Sequence, residues 1–124
     1  MEKICLDFET AVDFLRGDPG TIEKLKYYAD REEICITSFT MMQLLETIKR
    51  PEITSQISNS LTILPFDRRA AAIAHSINNE MKKKGGIPKP KDSVLTAAIC
   101  IANDAFIYSR TPWKFEGIRG LRKV

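Results

Sequence analysis

The sequence predicts an α/β fold in which helices pack on both faces of a small parallel sheet. Short apolar runs alternate with segments of helical spacing along the 124 residues. This alternation favours parallel strands joined by right-handed crossovers. A chain of this length is large enough to bury a proper core and too small for two domains, so we expect a single domain over 1–124. No glycine-rich phosphate loop follows any apolar run, which excludes the dinucleotide-binding and P-loop fingerprints.

The predicted elements follow from runs of apolar residues and from the residues that interrupt them. Two glycines and two prolines exclude regular structure in 84–91 and predict a flexible, basic connection there. Asp92 and Ser93 are competing N-caps for the helix that follows it. The predicted strands are 4–6, 34–37, 61–64 and 105–109 with a short edge strand at 121–124, and helical spacing covers 11–15, 21–28, 41–48, 53–60, 66–83 and 94–102.

Composition predicts a cytoplasmic protein with an ordinary core. Hydrophobic residues make up 44% of the chain and charged residues 28%, which is typical of globular proteins. No apolar run approaches the roughly 18 residues that span a bilayer, and the N-terminal segment does not have the pattern of a secretory signal. Cys5, Cys35 and Cys100 lie inside apolar segments, so we expect buried, reduced thiols.

The net charge of +3 is modest, but the basic residues are clustered. A polyanionic partner fits this distribution. A solvated loop next to a solubilising tail is the commoner explanation of such a lysine run, and both interpretations remain open. The two clusters are Lys82, Lys83, Lys84, Lys89 and Lys91 around the predicted loop, and Arg119, Arg122 and Lys123 near the C-terminus.

Oxygen-bearing side chains follow successive predicted strands. In a parallel sheet, ligands collect outside the carboxyl ends of the strands, so these residues are candidates for one site. Carboxylates at such a site suit Mg²⁺ or Mn²⁺, and two ions about 4 Å apart can activate a water and stabilise the leaving oxygen of a phosphodiester. Each residue also has a simpler interpretation, as a helix cap or a solvated side chain. The candidates are Asp7, Glu9, Gln43, Glu46 and Asp92.

The run LDFETAVDFLRGD resembles the opening of PIN-domain proteins, specifically the VapC-type toxins of prokaryotic toxin–antitoxin pairs. The likeness extends over nearly the whole chain, because further segments resemble the family's later motifs in the same order and spacing. These segments are 36–45, 64–67, 95–98, 108–110 and 115–121.

The resemblance implies a three-layer α/β/α fold with sheet order 3-2-1-4-5. It also implies Mg²⁺-dependent endoribonuclease activity, a homodimer and a neutralising antitoxin protein as partner. The sequence departs from the family's acidic motif at most of its positions. Glu9 replaces a small polar residue, Gln43 replaces a glutamate, Ser93 takes the third acidic position with Asp92 one residue early, Thr111 replaces an asparagine or aspartate, and Lys114 replaces an aspartate.

The residues support two functional hypotheses. In the first, the protein is a metal-dependent ribonuclease in which Asp7 and Asp92 bind Mg²⁺ or Mn²⁺, Glu9 or Glu46 compensates for missing acids, and Gln43 or Glu46 positions waters. The RNA backbone would be held by Lys84, Lys89, Lys91 and Arg110. In the second, the metal site is lost and the protein binds an antitoxin, a paired toxin or RNA. If Lys114 points inward, its ammonium competes with a metal for the carboxylates.

Overall fold

In the part of the chain that the computed structural model describes, residues 2–29, 32–86 and 88–124, five parallel strands form one sheet. They are β1 (Lys3–Leu6), β2 (Glu33–Thr37), β3 (Thr62–Leu64), β4 (Ala105–Tyr108) and β5 (Arg122–Lys123). Their spatial order is β3-β2-β1-β4-β5, and every pair is parallel. The predicted order 3-2-1-4-5 is therefore confirmed, and so is the short edge strand near the C-terminus.

The central strand β1 is apolar because both of its faces are covered. Ile4, Cys5 and Leu6 are all buried. Cys5 lies opposite Cys35 of β2 on one side and Ile107 of β4 on the other. A continuous apolar run, rather than an alternating one, is what a parallel sheet buried on both faces requires.

Six α-helices cover the two faces in the described residues. They are α1 (Phe8–Leu15), α2 (Pro19–Ala29), α3 (Ser38–Thr47), α4 (Ile53–Ser60), α5 (Arg68–Lys84) and α6 (Lys91–Ala102). Ile4 and Leu6 pack with buried residues of α1 to α4, whereas Cys5 points to the other face and packs with α5 and α6. Alternate side chains of one strand thus enter two separate cores. The result is the predicted three-layer α/β/α arrangement.

The start of α6 differs from the prediction. Asp92 and Ser93 were expected to compete as N-caps, but the helix begins at Lys91 and the cap position is held by Pro90. Proline disfavours a helical conformation in the residue before it, which keeps Lys89 out of the helix and limits α6 to residues after it. Asp92 and Ser93 therefore lie in the first turn of α6. Residue 87 of the predicted connection lies outside the described residues.

A short 3₁₀ helix (Pro112–Phe115) replaces the irregular structure expected between β4 and β5. Phe115 is 2% exposed and belongs to the same core as α5 and α6, and the segment packs directly against α6. The buried ring anchors the segment at the sheet's edge and brings Lys114 next to the end of β1.

The cysteine prediction is confirmed, since Cys5, Cys35 and Cys100 are free and buried. No described helix combines the length and hydropathy needed to cross a membrane.

Candidate functional site

A small pocket lies where β1 ends, at the carboxyl edge of the sheet. It encloses about 40 Å³, which is room for a few waters or an ion and too little for a nucleobase. Four of the five oxygen-bearing candidates from the sequence line it, together with Lys114. The lining residues are Asp7, Phe8, Glu9, Thr40, Gln43, Asp92, Ser93, Thr96, Lys114 and Phe115.

Asp7 sits at the inner end of the pocket and is 7% exposed. It is the N-cap of α1, because its Oδ1 accepts a hydrogen bond from the backbone N–H of Thr10 at 3.1 Å. Its Oδ2 accepts a hydrogen bond from the Ser109 hydroxyl at 2.5 Å. Both interpretations of Asp7, helix cap and pocket residue, therefore apply to the same side chain.

Glu9 enters the pocket from the first turn of α1 and meets two cations. Lys114 Nζ lies 2.7 Å from Glu9 Oε1, and Arg110 Nε lies 3.7 Å from Glu9 Oε2. The hydrogen bond from Lys114 and the positive field of both cations hold the pKa of Glu9 below its usual value. Arg110 is fixed by a second ion pair, with Asp13 at 2.9 Å.

The side chain of Lys114 points into the pocket. This is the orientation in which its ammonium competes with a metal ion for the carboxylates. Its hydrogen bond to Glu9 raises the pKa of the Lys114 ammonium, and the negative fields of Glu9, Asp7 and Asp92 raise it further. The ammonium therefore remains charged, in contact with Glu9 and within the negative fields of Asp7 and Asp92. Its side chain is 37% exposed, so the outer part of the pocket is still in contact with solvent.

The opposite wall of the pocket comes from α3 and α6. Gln43 is half-buried and brings an amide where an acid would bring charge. Asp92 is exposed, and its Oδ1 accepts a hydrogen bond from the backbone N–H of Ser93 at 2.9 Å. Ser93 and Thr96 are each 4% exposed, so this wall consists largely of buried hydroxyls.

The side chains do not fit the metal site that the resemblance implies. Within residues 2–29, 32–86 and 88–124, no group of three Asp, Glu, His or Cys side chains is placed to hold a metal ion. Both carboxylate oxygens of Asp7 already accept hydrogen bonds, and Glu9 is bound to Lys114. A hard divalent cation needs several oxygen ligands, and here an ammonium faces the same oxygens.

Glu46, the remaining candidate, lies apart from the pocket. Its spacing of three residues from Gln43 predicts that both side chains lie close to one face of α3. Glu46 is nevertheless exposed and does not line the cavity, which α3 reaches through Thr40 and Gln43. Glu46 therefore does not supply the charge that Gln43 lacks.

The four basic residues expected to contact RNA have different surroundings. Lys91 is exposed at the start of α6. Lys84 is exposed on α5 with Glu80 at 3.8 Å. Lys89 is half-buried and donates to the backbone oxygen of Trp113 at 3.2 Å. Arg110 is half-exposed but carries the two ion pairs described above.

Ser109 is a site residue that the sequence did not indicate, as are Thr40 and Thr96 of the pocket lining. Ser109 directly follows β4, as Asp7 directly follows β1, and the register pairs Leu6 with Tyr108. Two residues that follow paired positions of neighbouring parallel strands lie side by side. Knowledge of the strand register would have been enough to predict the hydrogen bond between their side chains.

Comparison with solved structures places this architecture among toxin–antitoxin proteins. The chain superposes on one chain of VapBC2 from Rickettsia felis bound to a promoter DNA fragment, with a TM-score of 0.84 and 20% identity over 98% of this chain and 97% of that one. DNA-bound VapBC from Salmonella typhimurium gives a TM-score of 0.81 and 25% identity over 100% and 98%. VapBC-1 from nontypeable Haemophilus influenzae gives 0.81 and 15% over 98% and 96%. No protein-family model and no curated protein matches the chain.

These likenesses confirm the resemblance at the level of the fold. The chain has the PIN-like fold of VapC-type toxin chains, and it spans nearly the full length of the chains that it matches.

Proposed function

We propose that this protein is the toxin-type subunit of a VapBC-like pair, which binds a cognate antitoxin protein and RNA in the cytoplasm. The observation that carries the proposal is the fold: strand order, helix layers and chain length all match chains of VapBC complexes. The altered acidic residues of the pocket disfavour metal-dependent catalysis. They do not affect the outer surfaces, which remain available for binding. We therefore place binding first and hydrolysis second.

RNA would bind the basic surface formed by the end of α5 and the start of α6. Lys82, Lys83, Lys84 and Lys91 are all exposed there. Contacts from lysine to phosphate give affinity with little sequence preference, and they weaken as salt rises because bound counterions are released. This surface lies on the α5–α6 face of the sheet.

Fluorescence anisotropy with a labelled single-stranded RNA tests RNA binding at this surface. We expect the double variant Lys84→Gln/Lys91→Gln to bind the RNA more weakly than the wild type. The slope of log affinity against log salt concentration should become less steep by at most about two. Lys26→Gln is the matched control, because Lys26 is exposed on α2, on the opposite face of the sheet. Equal loss in the control, or binding that does not depend on salt, would contradict a role for this surface.

Co-expression with the protein encoded next to this chain tests antitoxin binding. A toxin-type subunit should form a stable complex of defined stoichiometry with that protein. If the two proteins elute separately and no complex forms, that protein is rejected as the antitoxin. The RNA measurement would stand independently.

A second candidate is a weakly active endoribonuclease that depends on Mg²⁺ or Mn²⁺. The observation that favours it is that Asp7, Gln43 and Asp92 line one pocket at the sheet's carboxyl edge. The poor fit to a metal site places it second.

Cleavage of a fluorescent RNA in the presence of Mn²⁺ tests the second candidate. We expect Gln43→Glu to increase the rate if the scaffold is competent and lacks only charge. Activity that survives unchanged in Asp7→Asn would come from a contaminating nuclease and would reject this candidate.

We further propose that the protein forms a homodimer through an apolar strip. Met42 and Leu45 are exposed and follow Ser38 at helical spacing along α3. The backbone N–H of Phe66, whose ring is also exposed, lies 3.3 Å from the Ser38 hydroxyl. Exposed apolar side chains in one strip are typical of a contact surface.

A further inference from the structure

We infer that the ammonium of Lys114 takes the place of a divalent cation in this pocket and keeps the pocket closed to metal ions. This goes beyond the proposed function, because it concerns which cation balances the carboxylates and holds whether or not RNA or an antitoxin binds. A charge that belongs to the chain stands where a dissociable cofactor would otherwise bind.

Lys114 lies among the carboxylates that could coordinate an ion. Asp7, Glu9 and Asp92 come from three separate places in the chain and line a cavity of about 40 Å³ together with Lys114. The ammonium contacts Glu9 directly, at 2.7 Å, and shares the cavity with Asp7 and Asp92. The hydrogen bond to Glu9 raises the pKa of Lys114, and the negative fields of Glu9, Asp7 and Asp92 raise it further.

The backbone and the charged end of Lys114 are both held in place. Phe115, the next residue, is 2% exposed in the core, and the backbone N–H of Lys114 donates to the oxygen of Thr111 at 3.1 Å. The Nζ atom reaches Glu9 Oε1 at 2.7 Å. The side chain therefore extends from a fixed backbone to a specific partner inside the pocket.

Part of the negative charge at the pocket is already balanced without a metal ion. Asp7, Glu9 and Asp92 carry three formal negative charges and Lys114 carries one positive charge, while Arg110 beside Glu9 is itself balanced by Asp13. A divalent cation would meet the like charge of Lys114 inside the pocket and that of Arg110 at its edge. Repulsion between charges a few ångströms apart is strong where solvent screening is incomplete.

The donor oxygens of the pocket already have hydrogen-bond partners. Asp7 Oδ2 accepts from Ser109, Asp7 Oδ1 accepts from Thr10, and Asp92 Oδ1 accepts from Ser93. The side chain of Gln43 supplies a neutral amide. Each of these three oxygens would have to share or give up a hydrogen bond in order to coordinate an ion.

Mn²⁺ binding followed by electron paramagnetic resonance and by isothermal calorimetry tests the inference without RNA or antitoxin. The wild-type protein should show no saturable site at millimolar Mn²⁺. Lys114→Met nearly keeps the length of the side chain and removes its charge. This variant should bind Mn²⁺ at least about tenfold more tightly than the wild type. Asp7→Asn in the Lys114→Met background should abolish the gained site.

The matched control is Lys123→Met. Lys123 Nζ also lies 2.7 Å from a carboxylate oxygen, that of Glu116, with its side chain 33% exposed, but it lies outside the pocket. This variant should behave as the wild type. If Lys114→Met proves unstable, Lys114→Gln serves the same purpose.

Two results would overturn the inference. One is Mn²⁺ binding to the wild-type protein that is lost in Asp7→Asn, because the lysine then does not exclude metal. The other is a folded Lys114→Met or Lys114→Gln protein that binds no more Mn²⁺ than Lys123→Met, because the acids alone are then too few.

Discussion

The hydroxyl of Ser109 donates a hydrogen bond of 2.5 Å to the carboxylate of Asp7, and the two residues stand 102 positions apart in the sequence. Each follows the last residue of its strand, and these two strands are neighbours in the sheet. The bond joins the first strand to the fourth at the floor of the pocket and fixes the orientation of the Asp7 side chain.

We expect Ser109→Ala to lower the free energy of unfolding by about 1–2 kcal/mol, because it leaves one oxygen of a buried carboxylate without its donor. Urea denaturation followed by circular dichroism measures the change. The matched control is Ser60→Ala, at the exposed end of α4, which should change stability little. Equal effects in both variants would mean that the bond to Asp7 contributes nothing specific.

The ion pair between Glu9 and Lys114 should make stability depend on pH at both extremes. The pKa of Glu9 is lowered by folding, so its contribution is present above the ordinary glutamate pKa and is lost as pH falls through the lower, folded value. The pKa of Lys114 is raised, so its contribution is present below the ordinary lysine pKa and is lost as pH rises through the folded value.

Glu9→Gln should therefore cost up to about 1 kcal/mol near neutral pH, since both side chains are about one third exposed. The difference from the wild type should shrink in acid. Denaturation curves at about pH 7 and about pH 3 measure it, and a difference that grows on acidification would contradict the assignment.

The three thiols should be unreactive in the folded protein. Burial raises the pKa of Cys35 to about 12, and the hydrogen bond with Cys100 together with burial raises the pKa of Cys5 well above its usual value. Ellman's reagent at about pH 8 should modify no cysteine until denaturant is added, and then all three of them. Rapid modification of any thiol without denaturant would show that the sheet opens locally.

Charge placed on the apolar strip of α3 should prevent the proposed homodimer. Leu45 is 40% exposed, so Leu45→Glu should leave the monomer folded while abolishing self-association measured by light scattering. Ile22→Glu is the control, because Ile22 is 36% exposed on α2, away from the strip. A wild-type protein that is monomeric at high micromolar concentration would reject the dimer.

The strands and the helices on both faces of the sheet could be predicted from the sequence because buried parallel strands are short and apolar, whereas the strand order was implied only by the family resemblance. The segments 4–6 and 34–37 show this pattern directly, and all of their residues are buried. The predicted start of α6 is wrong, because the helix extends back to Lys91, ahead of both residues with a cap preference, Asp92 and Ser93.

The site was predicted only in part because contacts between distant elements decide its chemistry. Asp7, Glu9, Gln43 and Asp92 could be named as residues at strand ends, and they share a pocket. Whether Lys114 points inward depends on the buried ring that follows it, and the partner of Asp7 depends on strand register. Neither the orientation of Lys114 nor the partner of Asp7 can be derived from the composition of a local segment.

The short 3₁₀ helix that carries Lys114 has a consequence for how the pocket responds to its surroundings. A cation attached to the backbone through an anchored neighbour cannot be removed by a chelator or diluted away. The folded protein should have the same melting temperature in EDTA and in magnesium-rich buffer. The concentration of Mg²⁺ would then not regulate the stability of this protein.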